Sequence, residues 1–174
     1  MSFELQPHLA GEFLELRPLG PGDWDVLFSV ASDPLIWEQH PASDRYTEPV
    51  FRQFFREALE SGGAFVILDR ATGKIIGSSR YFGYVPEKRE IEIGWTFLAR
   101  TYWGGKYNRE LKRLMLDHAF RFVDRVLFFV GPNNMRSQKA LEKIGASRTH
   151  DRHKVDLEGK RLEHAVFEIR KPIA

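Results

Sequence analysis

The sequence has no cysteine among its 174 residues. Disulfide bonds, thiolate metal ligands and cysteine nucleophiles are therefore excluded. A reducing compartment is compatible with this composition. None of the six histidines belongs to an HExxH or similar ligand pair, so we expect no metal site.

Long hydrophobic runs and blocks of like charge are also missing. No apolar stretch approaches the roughly 18 residues that a membrane-spanning helix needs. The N-terminal stretch, MSFELQPHLAGEF, lacks the basic and apolar regions of a secretory signal, which favours a cytoplasmic location. The net charge is +2, from 26 basic and 24 acidic residues, and no five like charges are adjacent. These features argue against membrane and nucleic-acid partners.

The residues that are present predict a single domain spanning 1–174. EFLELRPL near the start is a strand candidate, and Asp23 and Pro49 stand at the starts of two predicted helices. Three apolar runs with short connections then predict an antiparallel meander. These runs are AFVILD, IIGSSRYFGY and EIEIGWTFL.

The second half of the chain returns to a helical period. Apolar side chains from Leu111 to Phe122 predict a helix over about 107–121. The short run VLFFV, residues 126–130, is typical of a central strand that pairs parallel with the strand ending near Leu98. A helix from Asn134 to Ile144 and two strands follow. Those strands cover about 146–155 and 161–170, around a turn at Glu158 and Gly159. The predicted class is an α/β (α+β) mixed sheet in the order β-α-α-β-β-β-α-β-α-β-β.

Two adjacent glycines, Gly104 and Gly105, precede the helix predicted at 107–121. The start of a helix exposes unpaired N–H groups and a partial positive charge. Glycines there tolerate a positive φ and let an anion approach the backbone closely. The pair therefore indicates either an ordinary turn or a phosphate site, and the motif alone does not decide between them.

Three stretches resemble the GCN5-related N-acetyltransferases (GNAT), in particular the branch with the ribosomal-protein N-terminal acetyltransferases of RimJ/RimL type. The stretches are LELRPLGPGDWDVLF, EIGWTFLARTYWGGKYNRELKRLMLDHAF and NNMRSQKALEKIGASR. The resemblance covers nearly the whole chain and implies a GNAT fold with a splayed central sheet. It also implies acetyl-CoA as cofactor and an amine as acceptor. Thr101 and Lys106 depart from the residue types usual at these positions of the family loop.

The resemblance places the cofactor along the third meander strand and the glycine loop. Backbone N–H groups near Trp103 to Asn108 would cradle the pyrophosphate, and the pantetheine would pair with free backbone near Trp95 to Leu98. Arg100 would supply the charge that Thr101 does not, while Lys106 either reaches a phosphate or is solvated. The implied cofactor-binding residues are Trp95, Phe97, Leu98, Arg100, Trp103, Gly104, Gly105, Lys106, Tyr107, Asn108, Asn134, Ser137 and Lys139.

Glu92 is the candidate general base, and Ser137 the candidate proton donor to the leaving thiolate. Strict alternation puts Glu90, Glu92, Gly94 and Thr96 on one face of their strand and Ile91, Ile93, Trp95 and Phe97 on the other. The pattern alone favours a solvated face of an antiparallel strand, and it is the family resemblance that favours Glu92 as a base. Ser137 is otherwise an ordinary first-turn residue in a helix capped by Asn133 or Asn134. Tyr107 is the alternative donor.

The acceptor side is less well specified. By resemblance its cleft would be formed by Trp37, Glu38, Arg80, Phe82 and Tyr84, although Trp37 is equally explained by packing against the second helix. The acceptor is a protein N-terminal α-amine or a small-molecule amine, and a homodimer is left open. The alternative function is a GNAT-fold domain that binds acyl-CoA as a sensor or interaction module without catalysis.

Overall fold

The computed structural model of the protein describes residues 2–157 and 160–173. These residues form one mixed sheet with two helices on each face. The strands are β1 (Leu9–Ala10), β2 (Leu14–Pro18), β3 (Ala64–Asp69), β4 (Ile75–Val85), β5 (Glu90–Leu98), β6 (Arg125–Val130), β7 (Ser147–Leu157) and β8 (Lys160–Arg170). The helices are α1 (Trp24–Ala31), α2 (Glu48–Ser61), α3 (Lys106–Ala119) and α4 (Met135–Lys143).

The strands lie in the order β1-β2-β3-β4-β5-β6-β8-β7. Only β5 and β6 pair parallel among the described residues, because α3 carries the chain back between them. The predicted mixed sheet and order of elements are confirmed, with one addition. The two-residue strand β1 pairs with β2 and is too short to show an alternating pattern. The predicted turn at Glu158 and Gly159 lies outside the described residues.

The two faces of the sheet hold separate hydrophobic clusters. Phe51 and Phe54 of α2 and Leu27 of α1 belong to one cluster, and Leu111 and Met115 of α3 belong to the other. This division matters for function, because side chains from each face of β5 reach a different pair of helices. No helix in the described part of the chain is long and apolar enough to cross a bilayer.

Strands β5 and β6 separate soon after they meet. Their register runs from Glu90 with Arg125 to Glu92 with Leu127, and no later pair forms within the described residues. From there β5 follows β4 as far as Leu98, while β6 follows β8 along its whole length. The result is a V-shaped opening between the two strands, which confirms the predicted splay.

A β-bulge in β5 changes the predicted faces of this strand. Ser78 pairs with Phe97 and Arg80 with Gly94, so two β5 residues lie opposite the single residue between them. Trp95 takes a φ of 52°, in the left-handed region. The prediction that Ile91, Ile93, Trp95 and Phe97 share a face is therefore wrong. Ile91 and Ile93 pack with α3, whereas Trp95 and Phe97 pack with α1 and α2.

The displaced register also separates Thr96 from Glu92, which were predicted to share a face. Thr96 meets Lys112 of α3, with 2.9 Å between Nζ and Oγ1. Glu92 is close enough to Arg80 for that charge to act on its pKa, and Arg80 lies over Trp95. Strict alternation fails here because the extra residue of the bulge shifts every later side chain to the opposite face.

The start of α3 is anchored by Glu110 at its first turn. The buried carboxylate accepts hydrogen bonds from the backbone N–H groups of Glu12 at 2.6 Å and of Phe13 and Leu14 at 2.8 Å. A Cβ on Gly11 would come within 2.4 Å of the same carboxylate, so glycine is required there. Glu110 thus fixes the helix that carries the glycine loop against the first long strand.

We expect Glu110→Gln to lower the free energy of unfolding by about 1–3 kcal/mol. The glutamine amide has one acceptor oxygen in place of two, so its NH2 group would face backbone N–H groups that are themselves donors. Chemical denaturation measures this change. Glu48→Gln, on the exposed surface of α2, is the matched control and should change stability by less than about 0.5 kcal/mol. Equal effects of the two substitutions would contradict the anchoring role.

Candidate active site

A cavity of about 390 Å³ opens where β5 and β6 diverge. It is lined by both strands, by the first turns of α3 and α4, and by the loop between α1 and α2. The cavity therefore has two ends, one at the glycine loop and one at the α1–α2 loop. No group of three or more acidic or histidine side chains in the described residues could hold a metal ion.

The glycine loop forms an anion-binding geometry at the first end. Gly104 and Gly105 have φ values of 108° and 121°, which disfavour any residue with a Cβ. Both glycines and Asn108 line the cavity. The backbone N–H groups of Lys106 and Tyr107 find no hydrogen-bond partner within the described residues. The start of α3 thus offers free donors and a positive dipole end to an anion.

Trp103, next to the glycines, and Arg136, which also donates to the Ile36 carbonyl of the α1–α2 loop, connect the two ends of the cavity. The guanidinium of Arg136 stacks on the Trp103 ring, 3.7 Å from its centroid. The Trp103 indole Nε1 donates to the Leu98 carbonyl at 2.9 Å. That carbonyl is thus already engaged, which leaves the earlier β5 residues Trp95 and Thr96, both lining the cavity, as the open edge, since the Phe97 carbonyl faces β4.

Three residues of the predicted cofactor set lie away from the cavity lining. Arg100 forms an exposed ion pair with Asp33. The Lys106 ammonium lies over the Phe13 ring, 4.5 Å from its centroid, and the Tyr107 ring packs edge-on against the same phenylalanine. These side chains serve packing and surface pairing in this structure, so the first end of the cavity presents mainly backbone donors.

Glu92 occupies the vertex of the V, at the last residue pair of the β5–β6 ladder. Burial raises the pKa of its carboxyl to about 8, and the positive charge of Arg80 opposes that rise. The carboxylate leans over Gly94, where an added Cβ would come within 2.9 Å of its Oε2. The bulge and the glycine together give the carboxylate its room, and its pKa suits proton transfer near neutral pH.

Ser137 lies in the first turn of α4 and lines the cavity. Its backbone N–H donates to the side-chain oxygen of Asn134 at 3.3 Å, so Asn134 is the N-cap of this helix, as one of the two sequence interpretations held. Asn134 and the exposed Lys139 also line the cavity. Gln138 donates to the carbonyls of Gly131 and Pro132 and so fixes the loop before the helix.

Among the predicted acceptor residues, Trp37 lines the second end of the cavity, whereas Arg80 and Phe82 only contact Trp95 of its lining. Trp37 packs against Phe97, with 5.1 Å between ring centroids, and donates its Nε1 to the Ala31 carbonyl. Phe82 packs edge-on against Trp95. Tyr84, by contrast, packs against Phe3 in the other hydrophobic cluster. Glu38 is exposed and does not line the cavity.

Lys112 is a buried lysine that reaches the cavity from α3. Burial lowers the pKa of its ammonium from 10.5 to about 7. Its Nζ donates to Thr96 Oγ1, which also lies 2.8 Å from Ser79 Oγ, and sits 5.8 Å from the Phe128 ring centroid. The side chain therefore fills space beneath the opening between β5 and β6.

A family model described as an acetyltransferase (GNAT) domain matches residues 14–147. The chain belongs to the GNAT acetyltransferase family. Its fold is similar to that of a GCN5-related N-acetyltransferase from Brucella melitensis, with 21% identity over 95% of this chain and 79% of the other and a TM-score of 0.78. It is also similar to a ribosomal-protein-S5-alanine acetyltransferase from Vibrio fischeri, with 19% identity over 96% of this chain and 100% of the other and a TM-score of 0.69. A third similar structure is Mycobacterium smegmatis RimJ in complex with CoA-disulfide, with 20% identity over 94% of this chain and 86% of the other and a TM-score of 0.70. No curated protein shows significant sequence similarity to it.

The sequence interpretation of this acetyltransferase missed two buried cations of the cavity, Lys112 and Arg45. A signal existed for Lys112, because it shares an i, i+4, i+7 stripe with the buried residues Leu116 and Ala119. Arg45 lies in a loop without periodicity, so no pattern could mark it.

Lys112 makes stability depend on pH. Its folded-state pKa, about 7, lies below the unfolded value of 10.5, so the unfolded state binds more protons between these limits. The free energy of unfolding therefore rises with pH across that window. We expect Lys112→Met to reduce the slope between about pH 7.5 and 9.5 by roughly 1 kcal/mol per pH unit.

Denaturant titrations at several pH values measure this slope. Lys74→Met, at an exposed turn position, is the control and should leave it unchanged. Parallel curves for the wild type and Lys112→Met would show that the buried ammonium keeps an ordinary pKa.

Proposed function

We propose that this GNAT acetyltransferase transfers an acetyl group from acetyl-CoA to an amine, by direct attack of the amine with both substrates bound. The observation that carries the proposal is a cavity that combines an anion cradle with an open strand edge, and a buried carboxyl with a pKa of about 8 that lies against Gly94 of the cavity lining. These are the parts that a phosphate-bearing thioester and an amine would need.

The residues present fit acetyl-CoA. The N–H groups at the start of α3 would hold the pyrophosphate, beside Gly104 and Gly105. The open edge of β5 at Trp95 and Thr96 offers backbone partners for the amides of the pantetheine arm. Bound acetyl-CoA would supply an activated acyl group as a thioester. The similarity to a RimJ in complex with CoA-disulfide supports this assignment.

Glu92 is the proposed general base. An amine must lose its proton before it attacks, and at pH 7 this costs roughly 1 kcal/mol for an α-amine and roughly 4.5 kcal/mol for a lysine. A carboxylate with a pKa of about 8 is a stronger base than an exposed glutamate. From the vertex of the V, next to Gly94 of the cavity lining, it would act directly or through a water on an amine that enters from the second end.

Ser137 is the proposed proton donor to the departing thiolate. It lines the cavity from the first turn of α4, opposite the open edge of β5. The positive end of that helix also favours a developing negative charge nearby. Asn134 holds the first turn in place through its capping bond to Ser137.

The acceptor is an amine on a protein N-terminus or on a small molecule. The names of two structural neighbours, RimJ and a ribosomal-protein-S5-alanine acetyltransferase, support the first class. Trp37 and Arg80 would help to position the acceptor at the second end of the cavity.

We expect Glu92→Gln to lower kcat by about 10²–10⁴-fold while the Kd for acetyl-CoA changes by no more than roughly twofold. In the wild type, kcat/KM should rise with pH through about 8 as the Glu92 carboxyl loses its proton. That rise should be absent from the variant, apart from the titration of the acceptor amine itself.

Thiol release measures turnover, and calorimetry measures cofactor binding. Glu87→Gln, an exposed glutamate in the turn before β5, is the control and should keep the wild-type profile. Loss of acetyl-CoA binding in Glu92→Gln would refute the role of a base. Cofactor binding without thiol release for any amine would favour the sensor function instead.

The glycine loop gives a second test. We expect Gly105→Ala to raise the Kd for CoA by about tenfold or more, since a Cβ at φ 121° distorts the cradle. Gly73→Ala is the matched control, because Gly73 also has a positive φ, 72°, but lies in the turn between β3 and β4. Calorimetry should show an unchanged Kd for that variant. If both variants bind CoA with the same Kd, the glycine loop does not bind the pyrophosphate.

A further inference from the structure

Two arginines are buried together at the acceptor end of the cavity. Arg45 is 8% exposed and Arg80 is 3% exposed. Both guanidinium groups contact the ring of Phe54, at 4.9 and 5.5 Å from its centroid. Arg45 also lies over Trp37, and Arg80 over Trp95, and both of these tryptophans line the cavity.

Neither guanidinium has an acidic partner within the described residues. In the part of the chain that the structure describes, no salt bridge includes either arginine, and Nε and Nη2 of Arg80 have no hydrogen-bond partner. Burial lowers the pKa of each guanidinium to about 10, and the charge of Arg80 contributes to the shift at Arg45. Two buried, mutually repelling cations are costly, and aromatic rings offset only part of that cost.

The other ionisable groups nearby leave this end positive. The Glu92 carboxyl is mostly protonated at pH 7, because its pKa is about 8. His40 stays neutral, since burial and the neighbouring cations lower its pKa to about 3. Asp44 and Glu57 raise the pKa of Arg45, and Glu57 that of Arg80, but both carboxylates are exposed and therefore screened by solvent. An amine that brings further positive charge, such as a polyamine, would therefore be repelled.

The arginines are also close to the proposed base. Arg80 pairs across the sheet with Gly94, two residues from Glu92, so their backbones are diagonal neighbours, about 7–8 Å apart. Arg45 contributes directly to the cavity lining. A group bound by these arginines would thus lie within one small molecule's length of an amine at Glu92.

We propose that the acceptor amine carries an anionic group, a carboxylate or a phosphate, close to its nitrogen, and that Arg45 binds this group with Arg80 as the supporting positive charge. A guanidinium binds either anion through two parallel hydrogen bonds. The proposal rests on the proposed function, since it specifies the acceptor of that reaction. It selects amino-acid-like or aminoalkyl phosphate acceptors over polyamines.

The first experiment compares matched acceptors with the wild-type enzyme. A panel of amino acids, the carboxamide of each, aminoalkyl phosphates and spermidine is assayed for thiol release from acetyl-CoA. We expect kcat/KM to be about tenfold or more higher for an acid than for its carboxamide. Comparison of the amino acids with the aminoalkyl phosphates shows which of the two anions, carboxylate or phosphate, the site prefers. Equal or better use of carboxamides or spermidine would overturn the proposal.

The second experiment removes the arginine. Arg45→Met should raise KM for the anionic acceptor by about tenfold or more, and leave KM for acetyl-CoA within roughly twofold. Arg45→Lys keeps the positive charge but not the planar guanidinium, so it should raise KM for the anionic acceptor by less. Such a partial effect would show that the loss in Arg45→Met does not come from misfolding. Arg52→Met is the matched control, because Arg52 also covers a tryptophan ring, 4.5 Å from Trp24, away from the cavity. A raised KM for acetyl-CoA would mean that the anion is a cofactor phosphate and would refute the proposal.

Failure of the proposed function can be told apart from failure of this inference. If no amine releases thiol, calorimetry of the same acids and carboxamides with the CoA-bound protein still tests the anion site. Binding of the acids, abolished in Arg45→Met, would support the site without catalysis. Absence of binding for every acid would overturn it.

Discussion

The early end of the β5–β6 pairing is the constraint on which the functional site depends. The parallel ladder stops at Glu92 and Leu127, and each strand then follows its other neighbour. Lys112 and Phe128 lie beneath the opening. The opening exposes a strand edge that would otherwise be paired, and it leads to the start of α3, where backbone donors are free. A continuous ladder would remove both the cavity and the edge.

The bulge at Trp95 determines which side chains face this opening. It moves Trp95 and Phe97 to the face of α1 and α2, beside Arg80 and Phe54. The same bulge, with Gly94, leaves space for the Glu92 carboxylate. Burial then raises the pKa of that carboxyl, so one local irregularity sets both the geometry and the acidity of the proposed base.

Much of the fold was predictable, because helical and strand periods are local properties of the sequence. The glycine loop, the parallel strand after α3 and the cap at Asn134 follow from such patterns. The reversed faces of Trp95 and Phe97 do not: Gly94 is compatible with a bulge at this point of the strand, but no residue type marks Trp95 as the residue that takes a positive φ. Arg45 could not be found either, because its burial results from contacts made by a loop to distant elements.

The central claim is that acetyl-CoA binds in the opening between β5 and β6. A crystal structure of the complex tests this most directly. The account predicts the pyrophosphate at the N–H groups that begin α3, the pantetheine arm along β5 at Trp95 and Thr96, and the thioester beside Glu92. A complex in which the two strands pair beyond Glu92, or in which the cofactor lies outside the opening, would contradict it.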